Sequence, residues 1–449
     1  MQEVLTDIGL ISILLLVAFF LRRKLVFLQR LYIPVAVIAG ALGLLLGPNV
    51  LGKFSPVCIP FSEGSAGYAM VLLVVVFTTL CVGAKFDSVG EVVKYSFQSL
   101  CLGSTLLIGQ GLLGFGVVKL LQAMGSPLLD GFALLPSTGF YGGHGLGAMV
   151  AAAWETIGYW DTTEVMSIAT TFATIGLLYG IIGGIIFINI GARKGYLKNA
   201  TSMDKLSPEE LTGYIPKEKR QNIISGASVP SVFEPLTLQL AFVMIIFVLA
   251  IGMTNFCANF PILNKLNSIA CVALMSALCA FLFRKIPALD DLVDPQGMRH
   301  ISSTAMELLI VASIANTNLS VVAAYLKEIL IASVIILPVN TLVCYFMAKK
   351  ICAKDWFEFF IFFFGTSSGV VATGYMLLRI ADPDAKSYVW LANAIPIGAL
   401  ISIVVQPLML SVAPVLLVEN PMTLVLIMAG AILAFLISSL VVRKTMVSA

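Results

Sequence analysis

Eleven separate stretches of this chain are apolar over a length that reaches or approaches a membrane crossing, and that repetition constrains the fold more than any single motif. A helix needs roughly 20 predominantly apolar residues to cross a hydrocarbon core about 30 Å thick, with about 17 to 25 as the working range. The stretches are Val4 to Leu21, Leu31 to Leu46, Ala66 to Val82, Tyr95 to Leu121, Val165 to Ile190, Leu236 to Phe256, Leu266 to Phe283, Ile301 to Leu319, Ile329 to Ala348, Tyr388 to Val412 and Met422 to Val442. With 59% apolar and 11% charged residues and a mean hydropathy of +1.00, the 449 residues lack the polar surface needed to cover a water-soluble globule. An all-α polytopic membrane protein is the expected fold class. The net charge of +3 is too small and too dispersed for a nucleic-acid surface.

Other classes fall on motif grounds. The eight cysteines show no ligand-like spacing, and Cys81, Cys101, Cys271, Cys279 and Cys344 lie inside apolar runs, where cysteine behaves as a small hydrophobe. No disulfide framework, cofactor or resident metal is expected. Two histidines, no His-Glu-x-x-His pattern and no paired intramembrane carboxylates leave an enzyme without a catalytic constellation. A passive channel would need a continuous polar pore, against which the scarcity of charge across the spans argues. The first apolar run is followed, not preceded, by basic residues, so it reads as a retained helix and not a signal peptide.

Two further apolar stretches, Asp130 to Trp154 and Trp356 to Arg379, are broken by glycine and hydroxyl residues at Pro136-Ser137-Thr138-Gly139-Phe140-Tyr141-Gly142-Gly143-His144-Gly145-Leu146-Gly147 and Gly365-Thr366-Ser367-Ser368-Gly369. Basic residues stay on the cytoplasmic side of a membrane, which decides whether these stretches cross. If both turn back and the N-terminus is outside, 23 of the 27 Lys and Arg are cytoplasmic; if both cross, 12 are. The turning-back arrangement is expected, with the C-terminus in the cytoplasm. It gives a first repeat over residues 1–190, with a re-entrant hairpin at about 130–154, and a cytoplasmic linker over 191–235. A second repeat covers 236–412, with a hairpin at about 356–379, and an extra span lies within 413–449. Five spans per repeat is an odd number, so the second repeat is inverted, the plan of secondary transporters. The linker's basic residues enforce topology.

A hairpin limb of about 10 residues reaches roughly 15 Å, half the hydrocarbon core, so both tips are expected at the midplane. Glycine lets a tip turn and a ligand approach the backbone, while freed N–H groups at a returning limb suit a carboxylate. Unwound carbonyls with Ser, Thr and Asn oxygens suit Na⁺. The candidate substrate residues are therefore Ser137, Thr138, Tyr141, Gly142, Gly143, His144 and Gly145 in the first break, Thr366, Ser367, Ser368 and Gly369 in the second, and Asn393, which precedes a helix-breaking proline at Ile395-Pro396. Gly103, Gly111, Gly114, Gly176, Gly180 and Gly184 are expected only to permit close helix packing.

The run Gly142-Gly143-His144-Gly145 before the fifth span, the Ile33-Pro34 start of span two, the second glycine-rich break and Ile395-Pro396 in span ten together resemble the bacterial sodium/glutamate symporter family. The likeness covers spans one to ten with the linker. It implies Na⁺-coupled uptake of glutamate or a related small carboxylate by a homodimer, through an elevator-like movement of a hairpin-bearing domain. Tyr141 stands where the family pattern has serine and Leu146 where it has threonine, and the acid expected after the span-ten proline is absent. A dicarboxylate or 2-hydroxycarboxylate, or coupling to H⁺, therefore stays open.

Glu307 is the exceptional side chain, a carboxylate six residues into an apolar span, where insertion costs on the order of 2.5 to 3.5 kcal/mol. It is expected in cation coupling, in place of the missing acid, with Ser303 on the same helix face. Asn316, Asn318 and Asn340 are helix-end or interhelical hydrogen-bond candidates. Trp154, Trp160, Trp356 and Trp390 fit an aromatic belt at the membrane interfaces.

Overall fold

A computed structural model describes residues 2–30, 33–82, 90–197, 214, 216, 233–257, 259, 268–352, 354–382, 386–394 and 405–447. The principal helices are α1 (Gln2–Lys24), α2 (Val35–Leu46), α3 (Tyr68–Val82), α4 (Gly90–Ala123), α5 (Leu135–Phe140), α6 (Gly143–Ile157), α7 (Thr162–Arg193), α8 (Pro235–Cys257), α9 (Ser268–Lys285), α10 (Pro295–Ala315), α11 (Leu326–Ile351), α12 (Trp356–Ala381), α13 (Tyr388–Ala394), α14 (Gln406–Glu419) and α15 (Pro421–Val447). Among the described residues there is no strand, and seven helices are long and apolar enough to cross a membrane. The protein is a multi-pass membrane protein. Most of the linker, and Ile395-Pro396, lie outside the described residues.

Capping residues set the helix ends. Asp161 accepts the Glu164 N–H at 3.0 Å and starts α7. Asp294 accepts from the N–H groups of Gln296 and Gly297 at 2.9 and 3.0 Å, with Pro295 in the first turn, so α10 begins six residues before the apolar run expected from Ile301. It also ends early, at Ala315. Asn316 closes it and Asn318 caps a short following helix, the helix-end roles expected of both.

The helices sort into two bundles. In one, α10 packs on α2 and α3, α9 on α3, and α8 on α9, while α1 leans on α2. In the other, α7 is central: α5, α6 and α12 pack on it, α11, α13 and α15 pack on α4, and α14 packs on α6. The glycines of α7 explain the closeness, because a Cβ at Gly183 would come within 2.7 Å of the Phe364 ring and one at Gly184 within 2.6 Å of Leu377 Cδ2. Gly111 and Gly114 of α4 act likewise, a Cβ at Gly111 meeting Met428 Cε at 2.6 Å. Trp154 departs from the belt expectation: it is fully buried, and its Nε1 donates to the Pro414 carbonyl at 3.1 Å.

One buried carboxylate braces the first bundle. Asp7 of α1 accepts from the Ser62 N–H at 3.1 Å, from the Ser62 hydroxyl and from the Tyr68 hydroxyl at 2.7 Å. Removing it orphans three donors, and each buried unmade hydrogen bond costs about 1–3 kcal/mol. Asp7→Ala is therefore expected to lower the thermal midpoint of the detergent-solubilised protein clearly, and Asp7→Asn, which keeps one acceptor, to lower it less. Equal midpoints for all three proteins would contradict this role.

Candidate functional site

The first break is a fold-back. After α5, Tyr141 and Gly142 continue the turn, Gly143 takes φ +69°, and α6 runs away from it. Both residues at the turn have to be glycine: a Cβ at Gly142 would lie 2.5 Å from Leu146 Cδ1, and the positive φ at Gly143 is one that side chains other than glycine rarely adopt. At the far end the limbs lie together. The Trp154 ring sits 2.8 Å from where a Gly131 Cβ would be, and the Gly131 N–H donates to the Tyr159 hydroxyl at 3.2 Å.

The second break repeats the device inside α12, where Gly369 (φ −143°, ψ 33°) and Val370 (φ 70°, ψ 164°) leave helical geometry. The two limbs return side by side. A Cβ on Gly365 would lie 2.9 Å from Gly374 Cα, whereas a straight helix would separate those residues by roughly 13 Å, and the rings of Phe362 and Tyr375 stack edge-on at 5.0 Å. Val370 is β-branched and sits in a region of backbone space that is nearly glycine's alone, at a cost of order 1–3 kcal/mol. Strain of this kind persists only where the surroundings impose it.

The two tips touch. A Cβ added to Gly143 would overlap Val370 Cγ1, so the turn of one break seats the strained residue of the other. Gly176 and Gly180 of α7 admit the Ser368 backbone and side chain beside them, the latter at 3.2 Å from a Gly180 Cβ. The packing role expected of these glycines thus also shapes the site. Two amides hold the second tip from outside: Gln110 of α4 donates from Nε2 to the Ser367 carbonyl at 2.6 Å, and Asn340 of α11 donates from Nδ2 to the Ser367 hydroxyl at 2.9 Å. Gln110 Oε1 and Thr366 Oγ1 are buried with no partner, as are Ser104 Oγ and Thr105 Oγ1 of α4. They are hard oxygen ligands of the kind an alkali cation takes.

His144 follows the first tip. Its Nε2 lies 3.1 Å from the Thr174 hydroxyl, whose own hydrogen goes to the Thr170 carbonyl at 3.0 Å. The imidazole therefore donates from Nε2. Its backbone carbonyl accepts from Ser313 of α10 at 3.4 Å, so this residue sits where the two bundles meet.

Residues 2–361 match the family model described as sodium/glutamate symporter. The chain belongs to the sodium/glutamate symporter family. Among curated proteins, none matches the chain. The family is one of Na⁺-coupled glutamate transporters, so this symporter is a transporter and not an enzyme. The second break lies beyond the matched residues.

The structure brings Gly142, Gly143, His144 and Gly145 together with Thr366, Ser367, Ser368 and Gly369 around the joined tips, all of them buried or nearly so. Ser137 and Thr138 are buried beside them but turn their hydroxyls back to the Leu134 and Leu135 carbonyls, both at 2.8 Å. Tyr141 packs in the aromatic cluster of α11 and α12. Asn393 accepts from the Ser99 hydroxyl of α4 at 2.7 Å. Glu307 and Ser303 share a face of α10 as expected, but that face is exposed and neither bonds to any described residue, so they do not join the tips. Gln110, Thr174, Ser313 and Val370 escaped the sequence reading. Gln110 alone carried a signal, an amide isolated in the apolar run Leu106 to Leu113.

Proposed function

We propose that this symporter carries glutamate, or a closely related small carboxylate, into a bacterial cell with Na⁺, binding it between the two joined tips. The observation that carries the reading is the contact of Gly143 with Val370: two interrupted helices, far apart in sequence, place free backbone groups, hydroxyls and an imidazole at one buried spot. Unwound backbone inside a membrane is tolerated where it is buried or lines a cavity, which is where transporters bind substrate. The carboxylate takes the backbone N–H groups that start α6 and the returning limb of α12. Na⁺ takes the partnerless oxygens of Gln110 and Thr366.

The two breaks read as re-entrant hairpins of opposite orientation in two inverted repeats. The bundle composition supports this, since spans one to three of the first repeat pack with spans six to eight of the second, and the remaining spans and both breaks pack together. The break-bearing bundle then slides as a unit against the other, an elevator-like alternation in which His144 and Ser313 mark the boundary. The protein works as a homodimer in the plasma membrane, N-terminus outside and C-terminus inside, as the resemblance and the placing of 23 of 27 basic residues support.

Uptake of labelled L-glutamate into proteoliposomes tests the reading, with an inward Na⁺ gradient set beside equal K⁺ and proton gradients. Concentrative uptake with Na⁺ alone is expected. Uptake driven by protons would overturn the cation assignment, and failure under every gradient, with a dicarboxylate or 2-hydroxycarboxylate accumulating instead, would overturn glutamate.

A further inference from the structure

One face of α10 does not fit a helix that meets lipid. Arg299, His300, Ser303, Thr304 and Glu307 are all exposed and fall at spacings of one, three or four residues, so they form a single polar stripe roughly 12 Å long. Behind the stripe Ile301, Ala305 and Leu309 are buried. Neither Arg299 nor Glu307 has a hydrogen bond or ion pair among the described residues, and either charge facing hydrocarbon is costly. Water resolves that cost.

The position of the stripe says where the water is. Seven residues on from Glu307, and so on the same helix face, Ile314 meets the other bundle. Two turns beyond Glu307 the same helix is sealed: Ile314 packs with Val37 of α2 and Leu177 and Ile181 of α7 in one apolar cluster, edged by Ile310 and Met376. A polar, open stretch thus borders the break-bearing bundle and stops at an apolar plug beside the tips.

We propose that the α10 stripe lines a water-filled crevice between the bundles, the cytoplasmic access path to the tips, closed at its inner end by the Val37–Leu177–Ile181–Ile314 plug. Arg299 at the mouth raises the local concentration of a carboxylate, and Glu307 at the inner end does the same for the cation. This deepens the transport reading and assigns Glu307 to the path in place of the tip. The occupant is water with dissolved ions, not lipid and not a second copy of the chain.

Cysteine accessibility tests it without reference to uptake. Ser303→Cys and Thr304→Cys are made in the full chain, with Val248→Cys on the exposed, apolar face of α8 as the lipid-facing control. Each is treated with a charged, membrane-impermeant methanethiosulfonate from either side of oriented vesicles, and labelling is read against the parent's native cysteines. Thiols react as thiolates, which form in water and not in hydrocarbon, so labelling of positions 303 and 304 from the cytoplasmic side is expected on the order of ten-fold faster than at 248. No labelling from either side, labelling from the outside only, or an oxidised disulfide between two copies at position 303 would overturn the crevice. If labelling occurs but glutamate uptake fails, the crevice stands and the substrate assignment falls. If uptake succeeds and labelling fails, only the crevice is lost.

Discussion

Gly143→Ala is expected to cut Na⁺-driven uptake at least ~10-fold while the protein still inserts, and Val370→Ala in the same chain is expected to restore part of it. The substitution meets two separate obstacles. An alanine at φ +69° costs roughly 1–2 kcal/mol, because its Cβ crowds the neighbouring carbonyl in the left-handed region. Its Cβ also overlaps Val370 Cγ1, and overpacking of this kind costs typically 1–3 kcal/mol. Shortening Val370 to alanine removes the overlap, since the remaining partner, Val370 Cβ, would be 3.7 Å away, an ordinary contact. The backbone cost stays, so the rescue is partial. Gly158→Ala is the control: it has φ +63° but nothing within 4 Å of its Cβ, so it meets the first obstacle alone and far from the tips. Uptake by Gly143→Ala equal to that of Gly158→Ala, or no gain on adding Val370→Ala, would show that the tip contact has no part in transport.

The same pair of residues shows how far the sequence reaches. Gly142 and Gly143 announce a turn because glycine is the one residue that takes positive φ at little cost, and the fold-back stands where they stand. The second break is legible as a region, from Gly365 to Gly369, but its sharpest residue is Val370, which no local rule selects. A β-branched residue is put there by the packing of Gly143, α7 and the limbs of α12, and that is tertiary information. Hydropathy likewise locates the spans yet places α10 too late in the chain, because apolar content marks the lipid-facing length and not the cap; Asp294 and Pro295 start the helix in a polar stretch. Glu307 stands out in the sequence, but a carboxylate in an apolar run says nothing of which side faces the tips. Its face is fixed by Ile301, Ala305 and Leu309, which α10 buries instead.

The amides around Ser367 give the second large effect. Gln110→Leu removes the donor that satisfies the Ser367 carbonyl at 2.6 Å, and Asn340→Leu removes the donor to its hydroxyl at 2.9 Å. A buried acceptor left without its partner costs about 1–3 kcal/mol, so each change is expected to lower uptake at saturating glutamate by roughly 5- to 150-fold. The two donors grip one residue from two helices, α4 and α11, at the end of the limb that leads into the break. Once either is gone the tip is free to shift, and the second loss matters less. The double variant is therefore expected to fall short of the product of the single effects, with a coupling of about 0.5–3 kcal/mol. Gln110 differs from Asn340 in also presenting the partnerless Oε1. Gln110→Leu should accordingly raise the Na⁺ concentration needed for half-maximal uptake, whereas Asn340→Leu should lower the maximal rate with little change in that concentration. Multiplicative effects in the double variant would separate the two amides and remove Ser367 as their common load. An unchanged Na⁺ dependence in Gln110→Leu would place the cation elsewhere.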